Sequence, residues 1–206
     1  KHNNPCGAAQ SESLETAYAR ANRADRIAAF GGALVVNRPL DRATAEAVVQ
    51  NYLEVVAAPD FEEGVVDLLK SRKDLRILTV PRLDRLGDYA SRRFLEFKSL
   101  QDGGVVVQQS PLNVVTRTQD FKPAAAMKDG REIRVVREPT PKELDDLLFG
   151  WCVEQGVTSN SVLYVKDLCT AGIGTGEQDR VGVAEIAVFK AYTKFGDALC
   201  FDRHGV

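Results

Sequence analysis

Four places in this chain of 206 residues hold side chains that could do chemistry. The first is the opening, Lys1-His2-Asn3-Asn4-Pro5-Cys6-Gly7. The His2 imidazole can take or give a proton near neutral pH. The neighbouring Lys1 supplies positive charge or, if desolvated, a shifted pKa. Read by composition alone, the pair is two exposed polar residues at a frayed terminus. The second place is Ser159-Asn160-Ser161. A strand-end Asn offers both an acceptor and a donor, so Asn160 can read a carboxamide or orient an amine. The third is Gly172-x-Gly174-x-Gly176 followed by Glu177-Gln178-Asp179-Arg180. Strand, glycine turn and helix start predict free N–H groups facing outward as an anion site, with the Arg180 fork beside them. Glu177 occupies the position that would complete GxGxxG, and no GK[ST] follows. By itself, then, the turn reads as a hairpin and helix cap. The fourth is Glu54 within the apolar run Leu53–Ala57. A buried carboxylate there would need a partner, whereas an edge-strand Glu would face water.

The elements that must position these groups follow from periodicity. Ser11 or Ser13 can cap a helix whose apolar face is Leu14, Ala17, Tyr18 and Ala21. Ile27–Val36 reads as a strand broken at Gly31-Gly32, with Phe30 before the break as a core residue. A short helix over 41–51, a strand over 53–57, a helix around Val65–Leu69 and a strand over 75–80 follow. This alternation predicts an α/β layered unit over residues 1–80. Residues 81–139 are more highly charged, with short extended pieces at 94–100, 105–108 and 133–136, and read as a connector with hairpins. Thr140-Pro141-Lys142-Glu143 is a capping box with Pro at the first helical position. It opens a second α/β unit over 140–206, with a stripe of Leu144, Leu147, Leu148 and Trp151. This unit is expected to be incomplete at its end, and a chain that starts with Lys is expected to be a piece of a longer protein. His204 is given no role.

Composition excludes several classes. The formal net charge is −2, and no basic stripe suggests nucleic acid. No apolar run is long enough to span a membrane, and no targeting segment is visible. Cys6, Cys152, Cys169 and Cys200 show neither metal-ligand nor disulfide spacing, which fits a reducing, cytoplasmic setting. Zinc-deaminase chemistry is ruled out, because His2 lacks the Glu of H-x-E and Cys6 lacks the partner of P-C-x-x-C.

Taken in order, KHNNPCGAA, RADRIAAFGG, the Glu54-bearing LEVVAAPDFEE, TSNSV and GIGTGEQDRV resemble successive motifs of the AICAR transformylase part of the PurH family of bifunctional purine-biosynthesis proteins. AICAR is 5-aminoimidazole-4-carboxamide ribonucleotide. The set spans nearly the whole chain. The resemblance implies a cytidine-deaminase-like fold without zinc, duplicated so that a second similar unit follows the connector. It implies formyl transfer from 10-formyltetrahydrofolate, the co-substrate, to the 5-amino group of AICAR. It also implies roles: His2 as proton acceptor, Lys1 as transition-state stabiliser, and AICAR contacts at Gly31, Glu54, Asn160 and Arg180. Phe30 would lie beside the imidazole of AICAR, Val181 would touch the folate through its backbone, and Ser159 and Ser161 would lie where some members bind potassium. A homodimer is implied as well. Cys6 departs from the alanine usual in KHxxPAG, and nothing resembles the cyclohydrolase half. Segments that supply further AICAR and folate contacts in the family are missing from the sequence, so the isolated chain is expected to be inactive. Two other classes remain open at this stage: a non-catalytic AICAR-binding fragment, and an unrelated α/β nucleotide-binding enzyme.

Overall fold

A computed structural model describes residues 1–205. Helix α1 (Leu14–Ala24) starts at Ser13, whose hydroxyl accepts from the Thr16 N–H at 3.2 Å. Asp25 ends α1 and begins α2 (Arg26–Ala29), its carboxylate accepting from the Ala28 N–H at 3.0 Å. That cap satisfies one of the orphan donors of the first turn. It explains why residues 26–29 wind into a helix where alternation predicted strand. Extended structure begins only with β1 (Gly32–Val35).

Helix α3 (Arg42–Val48) is capped by Asp41 and leads into β2 (Leu53–Ala58). Helix α4 (Val65–Leu69) leads into β3 (Arg76–Thr79). The three strands form a parallel sheet in the order β1-β2-β3, with Val56 opposite both Leu34 and Ile77. Parallel neighbours need crossovers, which α3 and α4 supply. The core joins Tyr18 of α1, Leu40, Val48, Val56, Val65 and Leu69. The Tyr18 hydroxyl accepts from Asn51 Nδ2 at 2.9 Å, and burial pushes its pKa up.

Two antiparallel hairpins follow: β4 (Leu95–Ser99) with β5 (Val105–Gln109), and β6 (Ala125–Lys128) with β7 (Arg131–Arg134). β6 was not anticipated, although its signal was present. Asp129-Gly130 adopts positive φ at both residues (51° and 75°), as a tight hairpin turn requires. All four strands are exposed throughout.

Helix α5 (Pro141–Glu154) carries the expected capping box, Thr140 accepting from the Glu143 N–H and Glu143 from the Thr140 N–H. Its expected stripe is only partly covered: Leu147 and Trp151 are exposed. β8 (Val162–Val165) pairs antiparallel with β9 (Thr170–Gly174). Helix α6 (Arg180–Phe189) packs on β9 and passes through a π-helical turn (190–194) into α7 (Phe195–His204). His204 is exposed at the end of α7.

Gly172 and Gly174 therefore lie within β9, not in a turn open to a ligand. They let α6 approach: a Cβ on Gly174 would collide with the Val183 carbonyl, and one on Gly172 with the Ala187 carbonyl.

Gly174→Ala should destabilise the fold by about 1–3 kcal/mol through overpacking, read as a lower urea midpoint; an unchanged midpoint would contradict this α6–β9 contact. Glu143 is held down to about 2, first by the Arg137 guanidinium and then by Thr140. A depressed carboxylate contributes stability above its ordinary pKa and loses it as pH falls through the folded value. Glu143→Gln should thus lower the melting temperature at neutral pH, and the gap from wild type should close as pH approaches about 2.

Candidate functional site

The opening of the chain is built into the second unit. Ala9 lies opposite Cys169 in an antiparallel bridge, flanked by Gln10 N–H donating to Leu168 O (2.9 Å) and Thr170 N–H to Ala8 O (3.0 Å). The Thr170 hydroxyl, itself buried, accepts from the Ala8 N–H at 3.0 Å. Residues 8–10 thus run as a short extra strand along β9. Helix α1 closes over them. A Cβ on Gly7 would strike the Ala21 carbonyl, and Arg20 donates to the Gln10 carbonyl at 3.1 Å and to the Asp167 carbonyl.

Upstream of Pro5, Lys1–Asn4 form a tight turn closed by the Asn4 N–H on the Lys1 carbonyl (3.0 Å). Both central residues are left-handed, His2 at φ 50° and Asn3 at φ 60°. Such backbone persists only where surroundings enforce it, and it concentrates at functional sites. Asn4 Oδ1 accepts from the Thr158 N–H and the Thr175 hydroxyl, each at 2.8 Å. The His2 ring is exposed, with no hydrogen-bond partner among the described residues.

Lys1 reaches the other way. Its ammonium donates to the Phe30 carbonyl. Gly31, at φ +67°, leaves the space: a Cβ there would lie 3.0 Å from Lys1 Nζ, 3.5 Å from Tyr52 Cε1 and 3.7 Å from Glu54 Oε1. Lys1, Phe30, Gly31, Tyr52 and Glu54 therefore surround one small space. Phe30 is not core: it is 65% exposed, with its ring 4.9 Å from that of Tyr52. Glu54 is not on an edge strand either. It sits at the exposed start of the central strand β2, with Arg76 Nη1 3.9 Å from its carboxylate.

Asn160 is held by the turn that follows β9. Its N–H donates to the Glu177 carbonyl (3.1 Å) and its Nδ2 to the Gln178 carbonyl (3.0 Å). One side-chain N–H and Oδ1 are left for a ligand. The Ser159–Asn160 peptide is cis. The start of α6 is not the open anion site expected, because Asp179 Oδ1 accepts from the Val181 and Gly182 N–H groups at 2.9 and 2.8 Å. Arg180 is exposed at this helix start, with no ion-pair partner among the described residues. Val181 is also exposed, but its N–H is engaged by Asp179, so it offers a ligand its side chain rather than that donor. Ser161 donates to Glu154 and lines a cavity of about 630 Å³ between α5 and β8, whereas Ser159 is exposed and outside that cavity. In one chain these two hydroxyls do not make a potassium cage, which needs a full shell of oxygen donors.

The structure thus joins Lys1 to Phe30, Gly31 and Glu54, and joins the Lys1–Asn4 turn to the loop that carries Asn160. Arg180 follows just beyond that loop, with no hydrogen bond or ion pair to the others among the described residues. Neither the 630 Å³ cavity nor a second of about 710 Å³ beside β1 is lined by any of them, and His2, Phe30, Glu54 and Arg180 are exposed in the single chain. Tyr52, expected to face inward with Ala45, Val48 and Val49, is instead exposed beside Phe30. Asn4, Thr158 and Thr175 were not singled out in the sequence. Their partners lie far off, at separations of 154 and 171 residues for Asn4, and no local pattern reports them.

Residues 1–190 match the family model described as AICARFT/IMPCHase bienzyme. Proteins named bifunctional purine biosynthesis protein PurH are similar over most or all of the chain. That of Thermosynechococcus vestitus is 38% identical over 93% of this chain and 33% of its own length. That of Chlorobaculum parvum is 39% identical over 93% and 33%. That of Pelodictyon phaeoclathratiforme is 36% identical over 100% and 35%. The chain spans about a third of the length of these relatives.

Asp179→Ala should remove the α6 cap and cost about 1 kcal/mol of stability, measured by denaturant melting. A cost near zero would mean the α6 N–H groups do not depend on this carboxylate.

Proposed function

The chain belongs to the AICARFT/IMPCHase bienzyme family, and on that premise we propose that it carries formyl-transfer residues of a purine-biosynthesis enzyme. The reaction moves the formyl group of 10-formyltetrahydrofolate to the 5-amino group of AICAR, giving formyl-AICAR and tetrahydrofolate. The observation that carries this reading is the meeting of Lys1, Gly31 and Glu54 in one space, with the same N-terminal turn bonded to the Asn160 loop. A cytidine-deaminase-like layering of the two α/β units belongs to the same reading.

The residue types suit the chemistry. The AICAR amine is a poor nucleophile, since its lone pair is delocalised into ring and carboxamide. Asn160, with Oδ1 and one N–H unspent, holds the carboxamide and aligns the amine on the formyl carbon; alignment of this kind can remove about 7–11 kcal/mol of barrier. As the C–N bond forms, the amine proton passes to His2, directly or through the carboxamide. A positioned base contributes about 10²–10⁴-fold. Lys1 stabilises the oxyanion of the tetrahedral intermediate or assists departure of folate N10, which leaves with a proton. Glu54 accepts from the AICAR amino group, and Arg180 provides a fixed cation. Phe30 and Tyr52 offer apolar faces beside the heterocycle, and Val181 an apolar contact for the folate. No step is routed through potassium.

The exposure of these site residues and the exposed apolar side chains of the hairpins, among them Phe97, Val105, Val107 and Ile133, support completion of the active site across a homodimer. All four cysteines are free, which supports the reducing cytoplasm. No helix among the described residues is long and apolar enough to cross a membrane. The glycine turn that favoured a nucleotide-binding enzyme loses that support, because Asp179 closes the helix start.

His2→Ala in the complete native protein should lower kcat by at least about 10²-fold while AICAR binding, measured by calorimetry, stays close to wild type. An unchanged kcat would reject His2 as the base. Tighter binding of NAD or ATP than of AICAR would reject the whole reading.

A further inference from the structure

We propose that Asn4 is a positioning residue: its side-chain amide clasps the Lys1–Asn4 turn to the Asn160 loop and thereby sets where the His2 imidazole stands. The catalytic consequence rests on the formyl-transfer reading above, whereas the clasp is geometric.

Asn4 grips in three directions. Outward, Oδ1 accepts from the Thr158 N–H and the Thr175 hydroxyl, each at 2.8 Å. A backbone N–H can only donate, so the atom facing Thr158 must be the amide oxygen. Inward, Nδ2 lies 3.4 Å from the His2 carbonyl. Along the chain, the Asn4 N–H closes the turn on Lys1.

The partners lead directly to Asn160. The Thr158 carbonyl accepts from the Gly176 N–H at 2.8 Å, and the next residue, Glu177, accepts from the Asn160 N–H at 3.1 Å. The Thr175 hydroxyl has one proton and two acceptors within reach, Asn4 Oδ1 at 2.8 Å and Thr158 O at 3.1 Å. Hydrogen bonds, joined by the Gly176–Glu177 peptide, thus link the His2 backbone through Asn4 to the backbone N–H of Asn160.

The turn needs this hold. Left-handed backbone is disfavoured for residues with a Cβ, less so for Asn than for His, and His2 and Asn3 both adopt it. The His2 ring has no partner of its own among the described residues, so its position follows the backbone. With the Asn4 amide gone, the turn can relax to negative φ and change where the imidazole stands. A displacement of about 1 Å at a reacting group can cost about 10²-fold.

The test compares Asn4→Ala, Asn4→Asp and Thr175→Val in the complete native protein. Asn4→Ala should lower kcat by about 10²-fold with the AICAR KM little changed. Asn4→Asp keeps the acceptor and should return kcat to within about tenfold of wild type. In a His2→Ala background, Asn4→Ala should add almost nothing to the residual rate, as expected of a residue acting through His2. Wild-type kcat in Asn4→Ala, or fully multiplicative losses in the double variant, would overturn the proposal. If Asn4→Ala does not fold, Thr175→Val decides: a kcat loss at constant KM supports the clasp, and wild-type kcat overturns it. The His2 imidazole NMR signal, assigned by its loss in His2→Ala, gives a readout independent of turnover. It should shift or broaden in Asn4→Ala, and in Thr175→Val if Asn4→Ala does not fold; an unchanged signal in the variant that folds would overturn the clasp. If the wild type transfers no formyl group yet this signal moves, the clasp stands and the formyl-transfer reading falls.

Discussion

The pairing of residues 8–10 with the start of β9 is the constraint on which the rest of the structure depends. It brings the first residues of the chain against residues more than 150 positions later, through two backbone hydrogen bonds and one to a buried threonine hydroxyl. Each such bond is worth only about 1 kcal/mol net, but leaving a buried donor or acceptor unpaired costs about 1–3 kcal/mol. The register is therefore fixed more by the cost of breaking it than by the gain of making it. Gly7 secures the other side, since no residue with a Cβ fits between this strand and the Ala21 carbonyl of α1.

The two units are also tied through α7. Arg23 pairs with Asp202 at 2.8 Å and Arg26 with Asp197 at 3.0 Å, while the Arg26 guanidinium sits 3.9 Å from the Phe201 ring centre. The Arg23–Asp202 pair is solvent-accessible and contributes little. Lys190–Asp25 differs, because Asp25 is 3% exposed and also caps α2. Removing Lys190 would strand a buried carboxylate, whereas removing an exposed partner strands nothing. The helices that flank the site are thus locked by one buried charge, and its loops by backbone pairing. The side chains proposed to meet a ligand, His2, Phe30, Glu54 and Arg180, are all exposed.

Much of this was legible in the sequence where physics is local. The capping box at Thr140, a serine cap for α1 (Ser13 of the two serines offered), and the strands expected over 53–57 and 75–80 and found at 53–58 and 76–79 follow from side chains reaching neighbouring backbone, or from apolar runs of strand length. Failures arose where tertiary contact decides. Gly172 and Gly174 read best as part of a hairpin and helix cap, as found, but a ligand turn stayed open beside that reading because a glycine needed for close helix packing and one needed for close ligand approach are written alike. Asp179 silenced an anion site that its neighbours advertised. Phe30 read as core because its ring is apolar, yet the Gly31 bend turns it out beside Tyr52. By composition alone Lys1 and His2 read as a frayed end, and the Lys1 bond to the Phe30 carbonyl with the partners of Asn4, at separations of 154 and 171 residues, shows that their turn is held.

The central claim is that the N-terminal imidazole and ammonium share one ligand with the amide of Asn160. A crystal structure of the complete native protein with AICAR bound tests it most directly. The account predicts a single AICAR molecule touched by Lys1, His2 and Asn160, in one subunit or across two. AICAR seated elsewhere, or touching Asn160 with Lys1 and His2 out of reach in every subunit, would contradict it.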